Sequence, residues 1–211
     1  LQYTLDAQTN RREPMPAGGF WRISPESLEK AIEWQNLYGG KVKWNDPVVY
    51  GRDWFYDGKD KYGYRLYDGA KAMIKNWTPT MTHNLSVNGK SGKTSYNIGL
   101  GYLDQSGMSK TAKKDDFKRY NASVSVTSEI NKYITVRASS IYSDRNKRYP
   151  GIGNTTADPW LYLYRWSPLM PMGVTENGNP LKEPTYEMAA ANTDNLQNKY
   201  YNINLGFTLN L

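Results

Sequence analysis

Hydrophobic and polar residues alternate strictly along several stretches of the second half of the chain. Such a period of two is typical of a β-strand with one apolar and one polar face. The clearest case is residues 201–211, where six apolar side chains alternate with Asn, Gly and Thr. The same pattern predicts four further strands within residues 83–88, 95–102, 120–130 and 134–142.

The connections between these predicted strands alternate in length. Short turns fall at residues 89–92 and 131–132, whereas longer polar connections span residues 104–119 and 143–199. A membrane β-barrel with tight periplasmic turns and long extracellular loops has this rhythm. We therefore expect an all-β fold of antiparallel up-and-down hairpins that form part of a transmembrane β-barrel.

The first part of the chain follows no such alternation. Ser24 is an N-cap candidate, Pro25 suits the first helical position, and Gly39 is placed to end a helix. Residues 44–67 are rich in Gly, Asp, Trp and Tyr and predict a long ordered loop. The expected organisation is a loop-rich barrel segment with one short helix, residues 1–80, followed by barrel strands and extracellular loops, residues 81–211.

Alternation also occurs in soluble β-sandwiches, so the choice between the two architectures depends on other features. The predicted polar faces carry mainly Asn, Ser, Thr and Gly, with Arg137 as the main charged exception. A solvated sheet face normally carries Lys and Glu, whereas a lumen packed against an inner plug favours small hydrogen-bonding residues. Four tyrosines lie where apolar faces meet long loops, as in an aromatic girdle: Tyr102, Tyr120, Tyr142 and Tyr201.

Composition excludes several classes of protein. Hydrophobic residues make up 38% of the chain, mean hydropathy is −0.78, and no run approaches the ~20 apolar residues of a spanning helix. There is no cysteine, which rules out disulfides and thiolate metal sites within these residues. The net charge of +7 comes from scattered basic residues, so we expect no nucleic-acid partner, although a basic nucleic-acid binder is a third, weaker alternative.

About five strands are visible, fewer than the ~8 that the smallest membrane barrels need. An open sheet edge cannot lie in lipid, because its backbone groups would lack hydrogen-bond partners. We therefore expect these residues to be part of one larger barrel, without the plug that fills it.

Four short motifs carry a resemblance to a known family. They are HNLSVNG at residues 83–89, KTSY followed by LGYLDQSG at 93–107, FKRYN at 117–121 and NKYITV at 131–136. In this order and spacing they resemble the SusC/RagA-like TonB-dependent transporters of the outer membrane. The resemblance is clear over residues 76–142 and looser to residue 211.

The resemblance implies an importer of nutrient oligomers, glycans or peptides, in the cell outer membrane. It implies a SusD-like surface lipoprotein as partner and contact with TonB through an N-terminal part that this chain lacks. It also places ligand contacts in extracellular loops. The best candidates are the aromatic and charged residues of one loop: Trp160, Tyr162, Tyr164, Arg165 and Trp166, with Asp158 beside them.

Other candidate sites are weaker. Trp54, Tyr56, Tyr62 and Tyr64 form a second aromatic group that could contact a ligand. His83 is the only histidine and opens a strand, and no Ser or Asp is paired with a base, so we expect no catalytic residue, metal site or cofactor. The alternative to an importer is a secreted or surface-attached β-sandwich that binds carbohydrate through its Tyr and Trp loops.

Overall fold

The computed structural model describes residues 1–11, 21–43, 45–151, 167–181 and 183–210. The described helices are α1 (Gln2–Arg11), α2 (Pro25–Tyr38), α3 (Gly69–Met73) and α4 (Pro184–Ala190). The described strands are β1 (Trp21–Arg22), β2 (Trp54–Tyr56), β3 (Lys61–Gly63), β4 (Thr80–Ser91), β5 (Thr94–Ser106), β6 (Asp116–Glu129), β7 (Ile134–Gly151) and β8 (Asn192–Leu209). Within these ranges, no helix is both long and apolar enough to cross a membrane.

The chain divides into two compact units. Unit 1 comprises Leu1–Lys75 and Ile152–Ala191, and unit 2 comprises Asn76–Gly151 and Asn192–Leu211. The second segment of unit 1 is therefore the connection between β7 and β8.

Unit 2 is one five-stranded antiparallel sheet in the order β4-β5-β6-β7-β8. Each strand pairs with its neighbours in sequence, which confirms the prediction of a β-rich fold built from antiparallel hairpins. The sheet is open, with β4 and β8 at its edges.

Two tight turns connect the strands at one end of this sheet, which we call the turn end. Ser91 pairs with Thr94, so Gly92 and Lys93 form a two-residue turn, and Gly92 has a φ of 56°. This left-handed conformation is one that glycine adopts without a Cβ clash. At the second turn the Asn131 side chain accepts hydrogen bonds from the N–H groups of Tyr133 and Ile134, both at 2.9 Å.

The opposite end of the sheet is the loop end, from which residues 107–115 and 152–191 leave. Here the strands are longer than the alternation predicted: β5 continues to Ser106, β6 begins at Asp116, and β7 runs to Gly151. The predicted loop boundaries were wrong because these extensions carry polar residues on both faces. Cross-strand ion pairs and backbone ladders hold them in the sheet instead of apolar burial.

In unit 1 the predicted helix is confirmed. The Ser24 hydroxyl accepts from the Ser27 N–H at 3.2 Å, and the Ser24 N–H donates to the Ser27 hydroxyl at 2.7 Å, forming a reciprocal capping box. Pro25 occupies the first turn, and Gly39 is the C-cap. The helix buries Ala31 and Trp34 on its inner side.

The prediction of one short helix was wrong, because α1, α3 and α4 are helical as well. The prediction of a long loop over residues 44–67 was also wrong, since β2 and β3 lie there and form a three-stranded sheet with β1. These elements are too short to show a helical or strand period. Side-chain caps fix two of the helices: Asp68 accepts from the Lys71 N–H at 3.0 Å, and Glu183 accepts from the Thr185 N–H at 2.7 Å.

A small apolar core joins the two segments of unit 1. It consists of Val48, Tyr67, Ala72, Met73, Met172 and Met188. Val48 also bridges to Thr175, and the Tyr67 N–H donates to the Pro168 carbonyl at 2.7 Å. Gly63 lies against the Leu169 backbone so closely that any Cβ there would clash. Contacts between segments distant in sequence therefore organise this unit.

Replacing Ser24 by Ala is expected to lower the stability of unit 1 by about 1 kcal/mol, because the first-turn N–H of Ser27 loses its acceptor. Hydrogen exchange of the α2 amides measures this, and Ser24→Asp, which retains a capping oxygen, should restore protection. Unchanged exchange in Ser24→Ala would contradict the role of the capping box.

Candidate functional site

The five loop residues predicted to contact a ligand, Trp160, Tyr162, Tyr164, Arg165 and Trp166, lie outside the described residues, as does Asp158. They remain a prediction. The described residues contain two other surfaces with functional character: an aromatic cluster in unit 1 and the apolar face of the sheet in unit 2.

The aromatic cluster comprises Tyr50, Trp54 and Phe55. The ring of Tyr50 meets Trp54 edge-on at 5.0 Å between centroids and stacks on Phe55 at 5.9 Å. Tyr50 and Phe55 are exposed, whereas Trp54 is half-buried and packs against the core of unit 1. Exposed aromatic faces of this kind can stack on sugar rings or apolar side chains.

The four aromatic residues that the sequence grouped at this site, Trp54, Tyr56, Tyr62 and Tyr64, lie on or beside the paired strands β2 and β3. Tyr56 is exposed, and its hydroxyl donates to the Gly58 carbonyl at 2.6 Å. Tyr62 pairs with Phe55 across β2 and β3. Burial raises the pKa of Tyr64. Tyr50 was not in the aromatic group predicted from the sequence. It joins the cluster because an isolated bridge brings it beside Trp54.

A buried carboxylate, Asp53, binds the backbone next to the aromatic cluster. Its side chain is 0% exposed and accepts from Trp34 Nε1 at 2.8 Å, from the Val49 N–H at 3.0 Å and from both Arg52 Nε and Arg52 NH2 at 2.8 Å. Arg65, only 3% exposed, adds a longer ion pair at 3.4 Å. The Asp53 carbonyl also accepts hydrogen bonds from the backbone N–H groups of Tyr64 and Arg65. Asp53 thus links α2, β2 and β3.

The charge state of Asp53 follows from these contacts. Burial alone raises the pKa of the carboxyl, but the hydrogen bonds from Arg52, Val49 and Trp34 together outweigh burial and hold the pKa below its usual range. Asp53 is therefore ionised at neutral pH and balances the buried guanidinium of Arg65.

One face of the sheet in unit 2, the apolar face, is an exposed apolar surface. It carries the alternating residues that include Leu85, Ile98, Val124, Leu205 and Phe207, and the last two are 80% and 75% exposed. Monomeric soluble proteins rarely leave an apolar patch of more than a few hundred Å² uncovered. This face spans all five strands, and no described residue of unit 2 covers it.

The apolar band on this face runs obliquely to the strands. Register partners on neighbouring strands form rows perpendicular to the strands. The slant of the band can therefore be measured against these rows. The outermost apolar residues at the loop end are Met81, Tyr102, Tyr120, Tyr142 and Tyr201 on β4 to β8 in turn. The row through Tyr201 reaches β4 at Leu85 and not at Met81. The boundary therefore shifts by about one residue per strand, or roughly 3.3 Å for each ~4.8 Å of sheet width.

The turn-end boundary slants in the same direction. The last apolar residue of this face on β4 is Val87. On β7 and β8 the last apolar residues are Ile134 and its register partner Leu209, which lie in a row closer to the turn end. The shift here is about one and a half residues per strand. Taken together, the two boundaries place the band at roughly 35–45° to the rows.

Charged residues lie on the apolar face beyond the loop-end boundary, and two ion pairs join them across the strands. Arg148 binds Asp116 through two hydrogen bonds, at 2.8 and 2.5 Å, and Lys118 binds Asp104 at 3.1 Å. Below them Tyr102 lies 4.9 Å from Tyr120 and 6.3 Å from the His83 ring, measured between centroids. On β5 to β8 the order along the strand from the loop end is therefore charged, aromatic, then aliphatic or small.

The opposite face is polar. It carries Asn, Ser and Thr together with Gly99 and Gly101, where an added Cβ would lie 2.7 Å from the Ser123 hydroxyl or 3.2 Å from Asn84 Oδ1. Arg137 is on this face as predicted, near the turn end, and it is not the only cation of this face: the strand extensions at the loop end also place Arg119 opposite Arg145. Sequence analysis assigned both arginines to loops, and only the pairing register brings them together.

Within the described ranges, no group of three or more His, Asp or Glu residues is arranged to hold a metal ion. Comparison of the chain with protein-family models, with curated proteins and with solved structures finds no match.

Proposed function

We propose that the chain forms part of the barrel wall of a TonB-dependent outer-membrane importer of glycan or peptide oligomers, working with a SusD-like surface lipoprotein. The observation that carries the proposal is the exposed apolar band that crosses β4 to β8 obliquely. Strands of membrane barrels tilt by about 35–45° from the membrane normal, so a band of constant depth must cross their hydrogen-bond rows at this angle. The slant of both boundaries is what such a tilt requires.

The sequence of side chains along β5 to β8 supports the same assignment. A lipid-facing wall has an aliphatic band, aromatic residues at the headgroups and charges in water. The loop end follows this order, from Leu100 through Tyr102 to Asp104 on β5. On the proposed inner face, small polar residues and glycines allow another part of the protein to pack closely.

The alternative, a soluble carbohydrate-binding sandwich, is disfavoured by the same face. A sandwich buries the apolar face of each sheet against a second sheet, yet Leu205 and Phe207 are almost fully exposed. In lipid the two open edges would need partners, so the proposal includes further strands beside β4 and β8.

The proposed direction of transport gives the loops a role. The connection between β7 and β8 belongs to unit 1, and the loop end is the extracellular side. The cluster of Tyr50, Trp54 and Phe55 then belongs to the ligand-contacting loops, together with the predicted residues Trp160 to Trp166. The family motifs within residues 83–136 support an importer rather than another kind of barrel.

Single-cysteine labelling tests the membrane assignment, because these residues contain no native cysteine. In the full-length protein in outer membranes, Ile98→Cys, Ile203→Cys and Phe207→Cys should resist a membrane-impermeant maleimide and react with a lipid-soluble one. Ser109→Cys, in the β5–β6 connection, should react with both. Rapid labelling of the three strand positions by the impermeant reagent would reject the lipid-facing assignment.

Uptake separates an importer from a passive barrel. Cells that carry the full-length protein should accumulate a labelled oligosaccharide or peptide only when TonB is present, and deletion of the gene should abolish that accumulation. Uptake that does not depend on TonB would contradict the proposal even if the cysteine pattern were that of a membrane wall.

A further inference from the structure

Two arginines lie side by side on the polar face of the sheet. Arg119 on β6 and Arg145 on β7 are direct register partners. Directly opposed residues have Cβ atoms roughly 4.5–5.5 Å apart, and like charges in such a pair repel each other. Lys147, two residues along β7 on the same face, adds a third positive charge near the loop end.

No carboxylate offsets this charge locally. The nearest acidic residue of this face on β8 is Asp194, four residues from the arginine row, or roughly 13 Å along the strand. Asp115 precedes the first residue of β6. Asp115 is also engaged by the Ser109 N–H at 2.8 Å. Among the described residues, no acidic group forms an ion pair with Arg119 or Arg145.

On the apolar face of the same strands, cations have carboxylate partners. There Arg148 has a two-point partner in Asp116, and Lys118 has one in Asp104. These two cations of the apolar face therefore have carboxylate partners, whereas the polar face carries a directly opposed arginine pair. Since an uncompensated like-charge pair destabilises a sheet, this arrangement is explained if an anion binds there.

A neutral side chain helps to hold the pair in position. When the Asn121 amide is assigned from its hydrogen-bond partners, its oxygen accepts from Arg119 Nε at 3.2 Å and its NH2 group donates to the Ser143 hydroxyl at 2.8 Å. Ser143 is buried and is the register partner of Asn121. Arg119 is thus oriented by a group that does not cancel its charge, which is the preorganisation that a binding site needs.

We propose that Arg119 and Arg145 form a subsite for the carboxylate groups of an acidic oligomer. The inference rests on the proposed function, because it takes the polar face to line the lumen through which the ligand passes. Guanidinium forks bind carboxylates through paired hydrogen bonds. Arg119 precedes Tyr120, at the loop-end boundary of the apolar band, so the subsite lies inside the outer mouth of the barrel.

The test compares acidic oligomers with neutral forms of the same backbone. Oligogalacturonate and its methyl ester represent glycans, and a glutamate-rich and a glutamine-rich peptide represent peptides. In full-length protein purified in detergent, calorimetry should show that at least one acidic probe binds more tightly than its neutral form. The Arg119→Gln/Arg145→Gln variant should weaken that binding roughly 10- to 100-fold and reduce its salt dependence.

Two variants control for charge and geometry. Arg137→Gln removes one cation from the same face near the turn end and should leave binding of the acidic probe unchanged. Arg119→Lys/Arg145→Lys keeps the charge without the fork and should fall between wild type and the double glutamine variant.

Several results would overturn the subsite. They are acidic probes that bind no better than their neutral forms, equal weakening of acidic and neutral probes by the glutamine variant, and loss of heat resistance in place of lost affinity. The last result would mean that the arginines meet a carboxylate of the protein itself. All three leave the cysteine-labelling and TonB tests unaffected, so the subsite can fail while the importer proposal stands.

Discussion

Replacing Asp53 by Asn is expected to lower the stability of unit 1 by about 3–5 kcal/mol, because it removes one member of a buried ion pair. Arg65 would keep the carbonyls of Lys43 and Asp46, at 2.7 and 3.1 Å, but would lose the carboxylate. The bidentate contact from Arg52 would be lost as well. A change of this size is a large fraction of the stability of a typical domain. Hydrogen exchange of residues 21–75 in the full-length protein is the measurement.

The matched control for Asp53 is Glu33→Gln. It also removes one carboxylate from an ion pair in unit 1, but Lys30 and Glu33 are both exposed on α2. Exposed pairs are screened by solvent, so we expect little or no change in exchange. Similar protection in Asp53→Asn and Glu33→Gln would show that the Asp53 network does not hold unit 1 together.

The pH dependence of unit 1 gives the Asp53 prediction a second readout. The folded-state pKa of Asp53 is lowered, so its contribution to stability is present above the unfolded-state pKa of about 3.9. That contribution is lost as the pH falls through the lower, folded-state value. Wild-type unit 1 should therefore lose stability more steeply on acidification below about pH 4 than Asp53→Asn.

Replacing Leu205 by Arg is expected to prevent or severely impair assembly of the full-length protein into the outer membrane. Leu205 is 80% exposed and lies between Ile203 and Phe207 in the middle of the apolar band on β8. An arginine on the lipid face near the bilayer midplane costs about 2–4 kcal/mol. Heat-modifiable migration on gels and recovery in the outer-membrane fraction are the measurements.

The control for Leu205 is its neighbour on the opposite face, Asn204→Arg, which adds the same charge and length to the same strand. If the polar face lines an aqueous lumen, Asn204→Arg should assemble far better than Leu205→Arg. If this face were instead exposed to water in a soluble protein, the Leu205 substitution would be nearly neutral. Normal assembly of Leu205→Arg would thus remove the main support for the lipid-facing wall.

Alternation in the sequence predicted the central parts of all five strands in unit 2. From Tyr96 to Tyr102 and from Tyr201 to Leu209, each face has its own kind of side chain, and a register slip of one residue would exchange the faces. The helix cap at Ser24 could also be predicted from the sequence, because a cap is a local arrangement of neighbouring residues. The apolar face and the tyrosines at its boundary were thus contained in the order of residues.

The ends of the strands were not readable in this way. Asp116 and Arg148 lie in segments that look like polar loop, and only their ion pair across β6 and β7 shows that both segments are strand. The pairing of Arg119 with Arg145 depends on the same register. Neither pair can be inferred from one strand alone, because the partner is chosen by the ladder of backbone hydrogen bonds.

The sequence by itself determined which side chains share a face, because that depends only on the period of two along each strand. The tertiary structure decided how the strands align with one another, and with that the slant of the apolar band and the position of the arginine pair. It also decided the burial of Asp53 against Trp34 and Arg65. These features join residues that are far apart in the chain. Their energies come from hydrogen bonds and charges across strands and loops, which no local pattern records.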